Sequence, residues 1–344
     1  MGGTKPGTLA GTAYAPGANA ASGTGAGHRF ARWRMLAGWI ACLAVLLAMP
    51  IIVGESYLFL CANFLIMALF AMSYNLLFGK AGMLSFGHAA YYGIGAYTVA
   101  ILGDKLSVGI LTGLLVAPVA AAAAALAVGF FTVRLSGMYF AMLTLAFGQL
   151  IYTVVFGWYD FTGGDNGLPV AMPEWLLSAT HFYYLTLAVV AVAVSVLRII
   201  SASAFGAALG AIRENPQRAA FIGLNVRMYQ LAAFVIAGAF AGIAGGLRAP
   251  LEQMAFPSLL YWTQSADPVL MALAGGIGTF VGPIVGAAVF TFVNFAVTSY
   301  TDYPLLAFGL LVLLIVLFLP GGVAGAAEAA WRRLRTKRDE GGAR

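Results

Sequence analysis

The sequence predicts an all-α protein: a polytopic membrane helix bundle of about ten (8–11) transmembrane segments, one or more of them broken or re-entrant, with both termini cytoplasmic. Of its 344 residues, 62% are hydrophobic and only 9% are charged, whereas a soluble domain carries about 25% charged residues. The apolar residues form long continuous runs, unlike the ~10-residue alternation typical of a membrane β-barrel. A chain this apolar must use the lipid bilayer as its solvent.

Three segments follow one another along the chain. Residues 1–34 form a tail rich in Gly, Ala and Thr, which we expect to be disordered because it has little apolar surface to bury. Residues 35–320 hold the apolar runs and form the membrane domain, which includes one long inner loop at 201–228. Residues 321–344 form a basic tail. We expect both tails to be cytoplasmic.

The distribution of charge sets the number of crossings. Lys80, Arg134 and the basic stretch 198–227 fall on one side together with the C-terminal tail, whereas the loop 158–181 carries acidic residues and no Lys or Arg. This is the positive-inside pattern, so the net charge of +6 indicates membrane topology and no nucleic acid partner. The predicted crossings are 35–53, 57–78, 83–103, 108–133, 138–157, 182–200, 229–248, 264–279, 284–300 and 304–320.

The stretch 264–300 must cross twice if the basic tail is to lie inside. Its first passage is short for a membrane span, which needs about 20 residues, and it ends in Gly275, Gly276 and Gly278. We therefore expect a broken or re-entrant helix near Gly275–Gly286, because irregular backbone at membrane depth is tolerated where protein surrounds it.

Polar residues enter the membrane domain in the glycine-interrupted stretch 75–88. Asn75, Ser85, Gly87 and His88 are candidates for lining a translocation pathway, because polar side chains in a membrane segment face protein or water. The alternative is a close-packing turn in which His88 bonds to a neighbouring helix.

The loop 201–228 contains signals for a short helix. Asn215 is suited to the N-cap, Pro216 to the first helical position and Gly223 to the stop. Such a helix could dock into a partner, or the loop could be a connection that carries positive-inside anchors. The candidate coupling residues are Arg213, Glu214, Asn215, Pro216, Arg218, Ala219, Ala220 and Gly223.

Two glycine ladders with a spacing of four residues predict close helix packing, because such glycines lie on one helix face. Pro283 interrupts the second ladder and favours a bend there. The predicted packing residues are Gly238, Gly242 and Gly246 in the first ladder, and Gly278, Gly282 and Gly286 in the second.

Several kinds of site are missing from the sequence. Gly79-Lys80 is followed by Ala81, so it does not form a Walker A motif, and we expect no cofactor in this chain. No spacing of residues suggests a metal site or a catalytic cluster, so we expect no enzyme activity. Asp267 and Glu252 lie near the ends of the predicted spans, which argues against a proton-coupled carrier with ionisable groups deep in its bundle.

Four sequence blocks, in order, resemble the permease subunits of bacterial branched-chain amino acid ABC importers, specifically the LivM type. Together they extend the resemblance from about residue 35 to 320. The blocks are NLLxGxxGxxSxGH at 75–88, GxxxxxxRENxxxAAxxGLN at 206–225, AFVIAGAFAGIAGGL at 233–247 and GGxGTxxGPxxGA at 275–287.

The resemblance implies a complete transport assembly in the bacterial inner membrane. A homologous second permease subunit, two cytoplasmic ATPase subunits that bind ATP, and a periplasmic binding protein that delivers the amino acid would be the partners. The loop 201–228 would be the coupling segment, although it departs from the Glu-Ala-Ala-x3-Gly form of many ABC importers. Alternatives are a related ABC permease for urea, amides or other hydrophobic amino acids, and a stand-alone carrier or channel.

Overall fold

The computed structural model describes residues 44–52 and 54–298, and the single positions 306, 309, 310, 313, 322, 323 and 325. The predicted N-terminal tail, and most of the first crossing, the last crossing and the basic tail, lie outside these residues. The chain divides into a unit that ends at Met49 and a unit that begins at Pro50. Residues 44–52 are helical (α1), and every element described below belongs to the second unit.

The described residues of the second unit are mostly helical. Its helices are α2 (Glu55–Asn75), α3 (His88–Leu106), α4 (Ile110–Thr132), α5 (Met138–Gly157), α6 (Tyr159–Thr162), α7 (Ala179–Ala202), α8 (Ala204–Glu214), α9 (Pro216–Phe221), α10 (Val226–Glu252), α11 (Trp262–Gly275) and α12 (Gly282–Thr298). A π-helical segment, Leu76–Lys80, extends α2. Short 3₁₀ turns lie at Gly164–Asn166, Glu174–Leu176 and Pro257–Leu260. Two short strands, β1 (Leu168–Pro169) and β2 (Met254–Ala255), pair antiparallel.

Within the described residues, five helices are long and apolar enough to cross a membrane. The protein is therefore an all-α, multi-pass membrane protein; the total of about ten crossings and the cytoplasmic position of the termini stay predictions. These five helices are Tyr57–Lys80, Ile110–Thr132, Met138–Gly157, Ala179–Ala202 and Val226–Glu252.

The predicted start of the crossing 83–103 was wrong, because its helix begins later in the chain. The π-helical segment stops at Lys80, Gly82 adopts a positive φ of 71°, and α3 begins only at His88. A positive φ is a backbone conformation that glycine adopts without steric cost. The predicted crossing therefore includes, at its start, part of an irregular stretch that lies between the π-helical segment and α3.

Helix α10 lies at the centre of the bundle and packs against α2, α3 and α4. A β-carbon added to Gly238 would meet Tyr91, and one added to Gly246 would meet Val99. Helices α3 and α10 therefore run parallel to each other. Because α3 is buried along most of its length, it forms the core of the unit.

The β1–β2 ladder fastens the loop 158–181 to the end of α10. Leu168 pairs with Ala255, and the Val170 N–H donates to the carbonyl of Gln253 at 3.0 Å. On the same side, Lys105 Nζ donates to the Asp160 carbonyl at 3.0 Å. This is the side that the charge pattern predicts to be external.

A break separates α11 from α12, within the stretch where the sequence predicted one. Gly276 and Gly278 take φ values of 113° and 89°, and the two helices pack against each other. Tyr57 lies near the start of α2 and stacks edge-on with Phe295 near the end of α12, with ring centroids 6.2 Å apart. Helix α12 therefore runs antiparallel to α2, and the break lies at the same end of the bundle as Lys80.

Candidate functional site

The short helix α9 has a defined cap at each end. The Oδ1 of Asn215 accepts from the Arg218 N–H at 3.0 Å, and Pro216 occupies the first turn. At the other end, Gly223 has a φ of 91°, and the Leu224 N–H donates to the Ala219 carbonyl at 3.1 Å, as in a Schellman motif. The predicted helix start and stop are confirmed.

The predicted coupling residues differ in exposure. Ala219 is only 2% exposed, so its side chain packs inside the chain, whereas most of the others are exposed. Sequence reasoning missed the two most exposed apolar side chains of this region, Phe221 at 90% and Ile222 at 75%. The signal that could have found them is a pair of adjacent large apolar residues at the C-terminal end of a short capped helix.

Arg213 extends from the last turn of α8 toward the helical bundle. Its Nη1 donates to the carbonyl of Gly79 in the π-helical segment, and its aliphatic stem fills the space beside Gly82. The same Nη1 lies 3.6 Å from the position of a β-carbon on Gly278. Arg213 therefore joins the inner loop to the end of α2 and to the turn between α11 and α12.

The four predicted pathway residues all lie in the packed interior. Ser85 and Asn75 are buried, and Asn75 Nδ2 donates to the Thr279 carbonyl at 3.1 Å. A β-carbon on Gly87 would overlap the backbone of Thr144 in α5.

His88 is 1% exposed and begins α3. Its Nε2 hydrogen bonds with the hydroxyl of Ser73 on α2 at 3.0 Å, and its ring stacks on Phe70 with centroids 5.5 Å apart. Next to it, the Ala89 N–H donates to the Ser265 hydroxyl of α11 at 2.9 Å. In this geometry the stretch is a close-packed junction of α2, α3, α5 and α11; a pathway lining stays a prediction.

The first glycine ladder lies on one face of α10. A β-carbon on Gly238, Gly242 or Gly246 would crowd the alanine methyls of α4. The neighbouring Gly245 faces α3, where a β-carbon would overlap the carbonyl oxygen of Tyr92. Glycine thus lets α10 approach a helix on each side.

The second ladder is not one continuous face. Gly282 and Gly286 pack against the backbone of Gly276 and Met271 at the end of α11, whereas Gly278 lies in the turn with a positive φ. Its assignment as a helix-packing residue was wrong, because the helix ends at Gly275 before it reaches that position. Pro283 stands near the start of α12, where proline is tolerated.

A second polar group lies between α2 and α10, and a separate polar pair lies within α11. Arg248 on α10 donates to Asn63 on α2 and pairs with Glu252 at 2.6 Å. On α11, Gln264 Nε2 donates to Asp267 Oδ2 at 2.7 Å. Asp267 was expected near a span end, and it lies in the second turn of α11, two residues after Ser265, whose hydroxyl accepts from the Ala89 N–H of α3. Among the described residues, no group of three His, Cys, Asp or Glu could hold a metal ion.

Comparison with known proteins identifies relatives over most of the chain. A family model described as "Branched-chain amino acid transport system / permease component" matches residues 56–320. The high-affinity branched-chain amino acid transport system permease protein LivM of Escherichia coli K12 is 27% identical over 83% of this chain and 73% of its own length.

Two further relatives come from the same organism. The permease protein LivH is 26% identical over 76% of this chain and 92% of its own length. The galactose/methyl galactoside import permease protein MglC is 27% identical over 45% of this chain and 50% of its own length. No solved structure matches.

Proposed function

This chain belongs to the family described as branched-chain amino acid transport system / permease component, and from that premise we propose that it is the membrane-spanning subunit of an ATP-binding-cassette importer for branched-chain or related amino acids. It would lie in the bacterial inner membrane and would hold no cofactor of its own. Its relatives include two permeases named for one transport system, LivM and LivH. This supports pairing with a homologous second permease subunit.

The remaining partners follow from the energy source. The sequence has no Walker A motif, so in this proposal two cytoplasmic ATPase subunits bind the ATP. A periplasmic binding protein delivers the amino acid on the opposite side, next to the loop that the β1–β2 ladder fastens.

The observation that carries the proposal is the exposed apolar tip of the inner loop. Phe221 and Ile222 stand at the C-terminal end of the capped helix α9 and are 90% and 75% exposed in this chain. Burial of each side chain in a partner contributes about 1.5–3 kcal/mol. We assign docking of the ATPase to these two residues together with Arg218, Ala220 and Gly223, which are exposed beside them.

The mechanism derives from the contacts of α8 and α9. When ATP draws the two ATPase subunits together, helices α8 and α9 move together as one rigid body. Arg213 passes this motion to the Gly79 carbonyl and to the turn near Gly278. The glycine-faced helices then shift between inward- and outward-facing packing, and the amino acid passes between the two permease subunits.

The docking assignment is tested by replacing Phe221→Ser and Ile222→Ser together. Because both side chains are exposed, we expect the membrane domain to fold normally, the ATPase subunits to be lost on purification, and uptake to fall at least tenfold. Leu177→Ser is the matched control, since Leu177 is 59% exposed on the predicted external side. Normal co-purification of the ATPases with full uptake in the double variant would contradict the assignment.

The cargo is tested on the cognate binding protein. The partial similarity to a galactose permease and the sequence-based alternatives of urea and amides give different ligands for the cognate binding protein. We expect that protein to bind leucine, isoleucine or valine in calorimetry. Uptake that persists without any ATPase subunit would instead favour a stand-alone carrier or channel.

A further inference from the structure

Helix α11 begins inside the membrane layer. The Ala89 N–H at the start of α3 donates to the Ser265 hydroxyl of α11 at 2.9 Å. The neighbouring His88 hydrogen bonds with the Ser73 hydroxyl of α2 at 3.0 Å, so Ser265 lies at the level of Ser73. At about 1.5 Å per residue, Ser73 is roughly 10 Å from the Lys80 end of its span, which is 24 residues long. The first two turns of α11 are therefore at membrane depth.

Helix α5 passes through the same layer beside α11. A β-carbon on Gly148 would lie 3.0 Å from the Cα of Gly87, which precedes His88 in the chain. One turn further toward the predicted external side, the rings of Tyr152 on α5 and Tyr261 at the N-cap of α11 have centroids 5.0 Å apart. The two helices therefore run antiparallel and side by side at this depth.

Four polar side chains on this pair of helices are partly exposed on the surface of the chain. Tyr152 and Tyr261 form an outer layer. Gln264 lies one turn further along α11, and its Nε2 donates to the Asp267 Oδ2 at 2.7 Å. Because Gln264 is three residues from both Tyr261 and Asp267, it is a helical neighbour of each. Tyr152, Tyr261, Gln264 and Asp267 are the polar strip.

Lipid is an unfavourable environment for the polar strip. Polar and ionisable groups at membrane depth face the interior of a bundle or a water-filled path. The strip is partly exposed, so the interior of this chain does not enclose it. The pathway candidates predicted from the sequence differ in this respect, because Asn75, Ser85 and His88 are buried.

We propose that the polar strip lines the path by which the amino acid crosses the membrane, on the side of this chain that faces the second permease subunit. Its amide, phenol and carboxylate groups replace part of the water around a zwitterionic α-amino acid. Several weak contacts of this kind let the solute pass, whereas one tight site would slow its release. This inference rests on the proposed function and names the residues of its path.

Cysteine accessibility tests the path. The complete transporter with Cys42→Ser and Cys61→Ser is placed in nanodiscs, and Tyr152→Cys and Gln264→Cys are introduced one at a time. A charged methanethiosulfonate reacts with the thiolate, which forms where water reaches the sulfur. We expect both positions to react, with rates that differ at least threefold between the nucleotide-free and the vanadate-trapped transporter, because the path opens to one side and then to the other.

The matched control is Leu150→Cys. Leu150 lies two residues before Tyr152 on another face of α5, and it is 58% exposed in this chain. In an apolar surrounding this position should react at least tenfold more slowly than Tyr152→Cys. The two test positions lie on different helices, so either one decides the question if the other variant does not assemble.

Two results would overturn the path. Reaction at both test positions no faster than at Leu150→Cys would place the strip in a dry contact with the second subunit. Rates that stay the same in the two nucleotide states would assign it to a static, water-filled crevice.

Asp267 gives the path a negative charge, which should favour cations over anions. At Gln264→Cys we expect a cationic methanethiosulfonate to react at least threefold faster than an anionic one, after each rate is divided by its rate with free cysteine. Adding Asp267→Asn should abolish this preference. Equal relative rates before that change would remove the Asp267 carboxylate from the path.

Uptake by the wild type separates the path from the proposed function. If the reconstituted transporter with its binding protein takes up leucine while the labelling results above fail, the proposed function stands and the path assignment falls. If the wild type takes up no amino acid at all, the proposed function and the path assignment both fall.

Discussion

Arg213 connects three parts of the chain that are distant in sequence. It belongs to α8, donates to the Gly79 carbonyl and lies beside Gly278. Hydrogen bonds from a charged group contribute about 1.5–3 kcal/mol, so this contact can transmit a displacement of the loop. The resemblance assigned Arg213 to docking on an ATPase; its guanidinium contact is with its own membrane domain.

Replacement of Arg213 should separate ATP hydrolysis from transport. For Arg213→Ala we expect the ATPase subunits to stay bound and uptake per ATP hydrolysed to fall roughly tenfold, because about 1.4 kcal/mol of linkage corresponds to that factor. The measurement is leucine uptake and phosphate release in the same proteoliposomes. Arg227→Ala, at an exposed position near the start of α10, is the control. An unchanged ratio in Arg213→Ala would remove this residue from the coupling route.

At the scale of elements, α10 is the central helix, which packs against α2, α3 and α4. One face meets the alanines of α4 and another meets the backbone of α3, because glycines occupy both faces. Membrane helices cannot rely on the hydrophobic effect for association, so close backbone contact between small residues contributes much of their packing energy. The second face, at Gly245, lies outside the four-residue ladder and was not predicted.

Gly245→Ala tests this packing. The added β-carbon would overlap the carbonyl of Tyr92, and overpacking of this kind costs about 1–3 kcal/mol, so we expect a lower melting temperature in detergent. Gly210→Ala is the matched control, because it lies in α8 with open space around it. There the change should be neutral or stabilising by up to about 1 kcal/mol. Equal melting temperatures for the two variants would contradict close α3–α10 packing.

At the scale of the whole molecule, the contacts of the structure agree with the topology that the charges predict. The Arg213–Gly79 contact places the basic inner loop 201–228 next to Lys80. The β1–β2 ladder places the acidic loop 158–181 at the C-terminal end of α10. Positive-inside reasoning placed these two groups on opposite sides. The bundle is therefore consistent with one orientation in the membrane.

Labelling with a membrane-impermeant maleimide tests this orientation. Starting from a variant with Cys42→Ser and Cys61→Ser, we expect Leu177→Cys to be labelled in intact spheroplasts. Phe221→Cys should be labelled only after the membrane is permeabilised. Both positions are exposed in this chain, and the permease is produced without the ATPase subunits that we propose to cover Phe221, so a difference in labelling reports the side of the membrane and not burial. Labelling of Phe221→Cys in intact spheroplasts would reverse the predicted orientation.

The sequence by itself determined the features that depend on composition and local chemistry. The low charge content required a lipid environment, the Asn215-Pro216 and Gly223 signals set the ends of α9, and the glycines from Gly275 onward ended α11. Each of these follows from residues close together in the chain. The free energies of these local features do not depend on which helix, remote in sequence, packs against them.

Only the tertiary structure decided where Arg213 acts. The sequence placed Arg213 on a docking surface, because spacing along the chain cannot show which helices meet. Association of α8 with the end of α2 turned Arg213 toward Gly79. The direction of a side chain is set by its long-range neighbours, and these exist only after the helices have assembled.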